Sequence, residues 1–317
     1  MRSSTTIPVI LGQTATGKTS VGIHLATAMN GEIISVDSRK LYKGLTIGTA
    51  TPEGLWTNNA YVVQGIPHHL IGHLAPDQLY TAGDFARDAE RLISEIQNRG
   101  KTPLLVGGTG FYFKALEKGL PVLPPRDEKL REGIEQAIKQ KGLEKVHAEL
   151  MAVDPVAAAA ISPQDRHKII RALEIYQLTG QPFSQWKETP RQASRHAFTV
   201  VGLEMDKTIL DKRIVRRAEE MGRNGMIEET AAVLKDYPKN CPALLSFGYK
   251  EAVQVVEGKM SRATFLTHLI RGTKAYAKRQ RTWFRTQVHP TWFLCEEKTK
   301  SEEISMRIKA FLESPHS

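Results

Sequence analysis

Short apolar runs alternate with amphipathic stretches over the first third of the chain. The apolar runs are IPVILG at 7–12, EIISVDS at 32–38 and TPLLVGGTG at 102–110. Between them, residues 19–29 and 81–100 carry apolar side chains at helical spacing. Buried strands separated by amphipathic helices are typical of a parallel, doubly wound sheet, so this pattern predicts an α/β fold.

After Gly119 the spacing of apolar residues becomes helical. Residues 126–180 predict helices throughout, and an apolar strand returns at AFTVVGLEMD, residues 197–206. The segment LPVLPP begins at Leu120 and separates the two patterns, because proline interrupts both helices and strands. We therefore interpret residues 120–196 as an all-helical insertion domain.

The last third of the chain is expected to rejoin the first. Residues 206–236 and 242–287 have helical spacing, and a polar helical tail is expected beyond Glu296. Residues 1–119 and 197–317 are therefore predicted to form one core around the inserted helices.

A phosphate-binding loop follows the first predicted strand. GQTATGKT fits the pattern G-x-x-x-x-G-K-[ST] between a strand and a helix, which makes the parallel sheet part of a P-loop NTPase-like core. Glycines let backbone N–H groups surround an anion, Lys18 adds a positive charge, and Thr19 offers a hydroxyl to Mg²⁺. The motif predicts a bound di- or triphosphate and leaves the reaction open. The predicted loop comprises Gly12, Gln13, Thr14, Ala15, Thr16, Gly17, Lys18 and Thr19.

An aspartate follows the second predicted strand. Asp37 lies at the same edge of the sheet as the phosphate loop, because parallel strands end at a common edge. Three roles remain open: a cap or turn residue, a magnesium ligand, or a general base beside the bound phosphate.

An arginine on the predicted helix at 206–236 faces inward. At 100° per residue, Arg217 falls at the edge of the apolar stripe that contains Leu210 and Ile214, whereas Arg216 points away from it. Arginines that approach the interior usually have an anionic partner. Arg217 is therefore either a structural residue or a clamp on the phosphates.

Composition and charge exclude several classes of protein. The chain is 41% hydrophobic and 25% charged, as is ordinary for globular proteins. No run approaches the ~18 apolar residues that span a bilayer, and no signal-peptide pattern is present. Two cysteines are too few for a disulfide framework or a zinc site. We expect a cytoplasmic protein with no membrane partner; the net charge of +10 is compatible with a polyanionic one.

The C-terminal helical segment concentrates this charge. Residues 261–287 contain seven Lys and Arg residues and no acid. This favours binding to a nucleic-acid backbone over a merely solvated charged face. The basic stripe, within about 60° of the helix circumference, comprises Lys274, Lys278, Arg281 and Arg285, and the opposite face carries Phe265, Leu269, Tyr276 and Trp283.

Two weaker signals lie in loops. His68, His69 and His73 form a cluster for which a structural role is favoured over metal binding. The glycines around Thr109 indicate either a tight turn or a site where a ligand approaches the backbone, with the Thr109 hydroxyl as a donor.

Taken together, these motifs resemble one family. The chain contains, in order, GQTATGKT, DSRKLYKGLTIGTATP, PHHLI, LVGGTGFYFKAL, HKIIRALEIYQLTG, RIVRRAEEM, SFGYKEA and AKRQRTWFR. Across residues 7–287 this combination resembles the tRNA dimethylallyltransferases, also called tRNA isopentenyltransferases. Some eukaryotic relatives carry a C-terminal zinc finger, for which this chain lacks a cysteine pair, so the resemblance is to the bacterial or organellar type.

The resemblance implies an activity. Such enzymes transfer a dimethylallyl group from dimethylallyl diphosphate to the exocyclic amine of the adenosine 3′ to the anticodon, in tRNAs that read codons beginning with U. The loop would then hold the prenyl diphosphate instead of ATP. Asp37 would be the base, Lys18 and Arg217 would contact the diphosphate, and Thr19 would help to hold Mg²⁺. We also expect a monomer.

The resemblance further implies contacts with the anticodon stem-loop of tRNA. They fall at the second strand end, in the insertion and along the C-terminal helices. The residues concerned are Asp37, Ser38, Arg39, Lys40, Thr109, Arg131, His167, Lys168, Ile169, Ile170, Arg171, Gly248, Tyr249, Lys250, Lys278, Arg279, Gln280, Arg281, Thr282, Trp283, Phe284 and Arg285.

The chain departs from the family pattern at a few positions. Gln13 stands where the family usually has proline, Lys40 where many members have glutamine, and Ser246 and Phe247 replace a commoner Ala-Ile pair. Two alternatives stay open: an adenylate isopentenyltransferase acting on free AMP or ADP, and a small-molecule P-loop kinase. A nucleic-acid-binding ATPase is less favoured because no later strand has a Walker-B pattern.

Overall fold

The computed structural model describes residues 6–57, 60–186 and 193–314. It divides the chain into two compact units, one formed by Met1–Glu117 with Ser194–Ser317 and one formed by Lys118–Ala193. The expected domain boundaries lie at 119/120 and 196/197.

The first unit is built on an eight-stranded, mostly parallel sheet with the order β3-β4-β5-β2-β6-β1-β7-β8. Among the described strands, only β3, β4 and β5 pair in antiparallel fashion. The α/β class and the parallel core predicted from the sequence are therefore confirmed. The strands are β1 (Ile7–Gly12), β2 (Gly31–Val36), β3 (Leu55–Trp56), β4 (Tyr61–Val63), β5 (Ile66–His69), β6 (Thr102–Gly107), β7 (Phe198–Glu204) and β8 (Thr291–Leu294).

Helices cover the sheet and form the second unit. Helix α2 begins at a capping box in which Thr81 and Asp84 bond each other's backbone N–H groups. The helices are α1 (Lys18–Ala28), α2 (Ala82–Asn98), α3 (Gly110–Lys118), α4 (Glu128–Lys141), α5 (Leu143–Val153), α6 (Pro155–Ala160), α7 (Arg166–Thr179), α8 (Phe183–Trp186), α9 (Lys207–Arg223), α10 (Met226–Asp236), α11 (Tyr249–Val256), α12 (Arg262–Gln287) and α13 (Ser301–Glu313).

The central strands explain why the sequence reads as unbroken apolar runs. All residues of β1 and β2 are buried, because helices cover both faces of a parallel sheet. The sheet places the end of β1, the end of β2 and the end of β6 side by side, since β6 pairs with both of the others. This edge carries the phosphate loop, Asp37 and the glycines around Thr109.

The structure corrects three expectations about the core. The short strands β3, β4, β5 and β8 were not predicted, because runs of two to four residues give no clear periodicity. The segment predicted as one helical stretch at 242–287 contains two helices separated at Gly258, whose φ of 72° ends α11. The tail is helical as expected but not uniformly polar: Ile304 and Ile308 are buried in the core, and α13 packs against α1.

The second unit has its own core. It consists of helices in its described part, with Ile134, Ile138, Val146 and Leu150 packed around Ile169. Within the described residues of the whole chain, none of the helices is long and apolar enough to cross a membrane.

Candidate active site at the phosphate loop

The phosphate loop joins β1 to α1 through a tight turn. Gly17 has a φ of 94°, a left-handed conformation that glycine adopts without strain, and it directly precedes α1. Within the part of the chain that the structure describes, no side chain caps this end of α1. Because the first N–H groups of a helix have no intrahelical partner, they are available to an anion here.

A cleft at this edge of the sheet combines residues from distant parts of the chain. Four cationic side chains line it, from the loop, from the segment after β2 and from α9. Asp37 is the carboxylate among the lining residues, so the cleft has a strong excess of positive charge suited to a polyanion. The four cations are Lys18, Arg39, Lys40 and Arg217.

Burial and the neighbouring positive charges lower the pKa of cationic side chains in the cleft. Burial of its ammonium group lowers the pKa of Lys18 from 10.5 to about 7, an effect opposed by Asp37 and reinforced by Arg217 and Lys40. Burial also lowers the pKa of Lys40 and of Arg217. Lys18 Nζ donates to the carbonyl of Gln13 at 2.6 Å. A bound anion would offset the repulsion between these positive charges.

Asp37 is held in place by its own turn. Its Oδ1 accepts from the backbone N–H of Arg39 at 2.9 Å, and Thr109 Oγ1 accepts from the N–H of Ser38 at 3.0 Å. The turn role considered from the sequence is therefore present, and the carboxylate still faces the cleft. Capping and chemistry are compatible at this residue.

The inward orientation of Arg217 agrees with the helical-wheel prediction. Its Nη1 lies 3.4 Å from Thr14 Oγ1 of the loop, and its guanidinium lines the cleft. Within the described residues it has no carboxylate at ion-pair distance. Arg216 points outward and pairs with Glu220 at 3.6 Å. The lack of a structural ion pair for Arg217 in this part of the chain favours a phosphate clamp.

The basic stripe on α12 is less free than the sequence suggests. Arg281 Nε donates to Glu204 Oε1 at 3.0 Å and Arg285 Nη2 donates to the same oxygen at 2.8 Å, while Lys274 lies 3.7 Å from Asp211. These acids belong to β7 and α9, so the acid-free stretch of sequence acquires acidic neighbours only on folding. Lys278 and Arg279 remain exposed.

Several predicted tRNA contacts are core residues. Ile169, Ile170, Tyr249 and Phe284 have no side-chain surface exposed, because each fills the hydrophobic interior. A surface contact by these side chains is therefore wrong for this structure. Gln280 is also buried, and both ends of its amide bond the backbone of the core.

The two predicted arginines of the second unit are engaged within that unit. Glu174 is fully buried and accepts from Arg131 at 3.1 Å and from Arg171 at 2.9 Å. Removing either arginine would leave a buried charge underpaired, so both have a structural role whatever else they contact. His167 and Lys168, at the start of α7, are exposed.

One carboxylate outside the cleft was not found from the sequence. Glu229, in the first turn of α10, accepts from the N–H groups of Thr46, Ile47 and Gly48 and from the hydroxyl of Tyr249. No motif marks this residue, because its partners lie far away in the chain.

Two histidines of the cluster have hydrogen-bond partners within the described part of the protein. His69 bonds the buried Glu32 at 2.7 Å, and His68 Nδ1 lies 2.9 Å from the carbonyl of Ile66. Burial lowers the pKa of His68 to about 4. No group of three or more His, Cys, Asp or Glu residues among the described residues could hold a metal ion.

Comparison with known proteins places this chain in a family. The sequence model of the IPP transferase family matches residues 40–287. The tRNA dimethylallyltransferase of Geobacillus kaustophilus is 38% identical over 314 residues, which cover 97% of each chain. That of Elusimicrobium minutum is 41% identical, over 87% of this chain and 90% of the relative.

Solved structures agree. The full-length tRNA isopentenylpyrophosphate transferase of Bacillus halodurans superimposes with a TM-score of 0.69 at 34% identity, covering 97% of this chain and 95% of its own. A eukaryotic dimethylallyltransferase acting on tRNA gives a TM-score of 0.69 at 26% identity, over 92% of this chain and 73% of its own. The chain with this cationic cleft therefore belongs to the IPP transferase family.

Proposed function

We propose that the protein transfers a dimethylallyl group from dimethylallyl diphosphate to the exocyclic amine of the adenosine 3′ to the anticodon, in tRNAs that read codons beginning with U. The observation that carries this proposal is a cleft that faces the carboxylate of Asp37 and combines the phosphate loop with four cations. Family membership identifies the kind of substrate, and the cleft supplies the chemistry.

The cations would stabilise the leaving group. In prenyl transfer the bond between the allylic carbon and the diphosphate oxygen breaks, and negative charge develops on the diphosphate. Lys18 and Arg217 line the cleft, and the uncapped N–H groups at the start of α1 lie at the phosphate loop, so these groups would stabilise that charge. Fixed donors are most effective where charge develops, so the loop serves departure of the whole diphosphate.

Asp37 would accept the proton of the attacking amine. As the nitrogen of adenine bonds to the allylic carbon, the nitrogen loses a proton to a base. The Arg39 N–H fixes Oδ1, and no donor from the described residues contacts Oδ2. The second oxygen is therefore available to the amine.

The cleft also fits Mg²⁺. Thr19 lines it and offers the hard oxygen donor that Mg²⁺ prefers, and Mg²⁺ commonly takes only one or two protein ligands beside phosphate oxygens. When bound there, the ion would offset negative charge on the diphosphate. The Thr19 hydroxyl is the group that we assign to it.

We further propose that exposed basic residues bind the anticodon stem-loop. Lys278 and Arg279 on α12, Lys250 on α11, and His167 and Lys168 on α7 are exposed. Contacts to phosphates position a nucleic acid, and an adenosine must leave its stack to reach a cleft. We expect the enzyme to act in the cytoplasm on tRNA, and as a monomer.

The test is a transfer assay. Purified protein is incubated with Mg²⁺, dimethylallyl diphosphate and unmodified tRNA, and the digested nucleosides are analysed by mass spectrometry. We expect the five-carbon mass increment on one adenosine of the anticodon loop. An increment on free AMP and none on tRNA would contradict the proposal in favour of an adenylate isopentenyltransferase.

A further inference from the structure

Two buried glutamines connect α12 to the phosphate loop. Gln280 Oε1 accepts from the backbone N–H of Thr14 at 2.8 Å, and its Nε2 donates to the carbonyl of Gly108 at 2.8 Å. Gln13 Nε2 donates to the carbonyl of Ala277 at 3.0 Å. Gln280 and Gln13 are each 6% exposed. These three bonds join the loop, the end of β6 and one turn of α12.

The amide of Gln280 is well suited to this place. One end accepts and the other donates, so it pairs a loop N–H with the carbonyl of Gly108 after β6. A Cβ at Gly108 would lie 2.5 Å from Gln280 Nε2, so only glycine allows this approach. Because buried unpaired backbone groups are costly, the bonds fix the loop strongly.

The fixed residue adjoins the anion site. Thr14 lines the cleft, and its hydroxyl lies 3.4 Å from Arg217 Nη1. Gln280 thus holds the backbone of a residue that itself contacts the proposed phosphate clamp. Tyr276, one turn earlier on α12, lines the same cleft.

We propose that Gln280 and Gln13 are positioning residues for the diphosphate, which makes the buried face of α12 part of the phosphate site. This inference rests on the proposed function, in which the loop holds a diphosphate. It assigns Gln280 to the prenyl-diphosphate side of the reaction, although its sequence neighbours Arg279 and Arg281 lie on the exposed side of the helix.

The test compares two glutamines of the same helix. Gln280→Met keeps the size of the side chain and removes both bonds. The control Gln287→Met changes an exposed glutamine at the end of α12 that bonds only Lys114 in the described structure. Calorimetry measures the binding of inorganic diphosphate with Mg²⁺, and steady-state kinetics gives KM for dimethylallyl diphosphate and for tRNA separately.

We expect Gln280→Met to weaken diphosphate binding and to raise KM for dimethylallyl diphosphate by about tenfold, with KM for tRNA changed by less than about twofold. Gln287→Met should match the wild type. A merely structural defect would not separate the two KM values. Gln13→Met should give a smaller shift in the same direction, and it replaces Gln280→Met if that variant does not fold.

The outcomes separate the inference from the proposed function. Wild-type protein that binds no diphosphate and transfers no prenyl group would contradict the proposed function. Normal diphosphate binding by wild type, Gln280→Met and Gln13→Met would overturn the inference alone. A raised KM for tRNA with an unchanged KM for dimethylallyl diphosphate would make Gln280 a nucleic-acid contact and would also overturn it.

Discussion

At the scale of single residues, Asp37 is the group on which the proposed chemistry depends. Its Oδ1 is engaged by the backbone N–H of Arg39, so Asp37→Asn preserves the turn while removing the base. We expect kcat for prenyl transfer to fall by about 10²- to 10⁴-fold, because a positioned general base typically contributes that much. Binding of tRNA, measured by filter retention, should stay within about threefold. Wild-type kcat in this variant would exclude Asp37 as the base.

Lys18 gives the same site a pH dependence. Burial lowers its pKa to about 7, so at pH 8 most Lys18 side chains of the free protein are neutral amines. A bound diphosphate favours the charged form and raises this pKa again, so binding at pH 8 should draw a proton onto Lys18. Calorimetry in buffers of different ionisation enthalpy measures this uptake.

The control for Lys18 is Lys18→Arg. An arginine stays protonated at pH 8, so its variant should take up fewer protons than the wild type on binding diphosphate. Equal uptake by the two proteins would show that Lys18 is already charged. The same lowered pKa affects the stability of the fold. Because the folded state disfavours the charged form, Lys18 destabilises the fold below pH 7, and this penalty disappears as the pH rises from 7 towards 10.5.

At the scale of elements, α10 holds the loop that precedes β3. Glu229 accepts from the N–H groups of Thr46 at 2.7 Å, Ile47 at 2.8 Å and Gly48 at 3.2 Å. The carbonyl of Gly48 in turn accepts from Arg39 Nη2 at 3.1 Å. One carboxylate on a helix therefore supports a loop that supports a cation of the cleft.

Glu229→Gln should loosen this loop. An amide has only one acceptor oxygen and no charge, so we expect a loss of about 2 kcal/mol in the free energy of unfolding, together with a lower kcat/KM. Urea unfolding checks the first value. Glu228→Gln is the matched control, since Glu228 is exposed and pairs with Arg262 at the surface, where substitutions usually change stability by less than about 0.5 kcal/mol. Equal losses in both variants would contradict the role of Glu229.

At the scale of the whole molecule, only part of the positive charge behind the net +10 is available to attract tRNA. Among the described residues, some cations line the cleft, some neutralise acids such as Glu204, and some, such as Lys278, are exposed. Long-range attraction for tRNA depends on the unneutralised part and falls with salt.

Glu204→Gln should strengthen tRNA binding. Two arginines, Arg281 and Arg285, share Glu204, so the substitution releases both for phosphates. We expect the affinity for tRNA at 50 mM salt to rise about threefold or more. The slope of log affinity against log salt concentration should also steepen by about 0.7–0.9 for each added phosphate contact, with one or two such contacts expected. Filter binding between 50 and 200 mM salt measures both. Unchanged affinity and slope would show that these arginines do not face the tRNA.

Local sequence patterns predict the strands, the phosphate loop and the orientation of Arg217. The apolar runs predict buried parallel strands because both faces of such a sheet are covered, and the loop motif predicts an anion site because a glycine turn before a helix exposes N–H groups. The inward face of Arg217 follows from helical spacing alone. These features depend on neighbours within a few residues, so the sequence contains them directly.

Other features depend on residues far apart in the chain. Gln280 meets Thr14 across 266 positions, Glu229 meets Gly48 across 181, and Arg281 meets Glu204 across 77. The burial of Phe284 also depends on distant residues. Helical spacing did not show which way this side chain faces. The sequence by itself determined the α/β core, the anion loop and its flanking aspartate and arginine. Only the tertiary structure decided which cations stay free and which amides hold the loop, because side-chain partners depend on how distant elements pack.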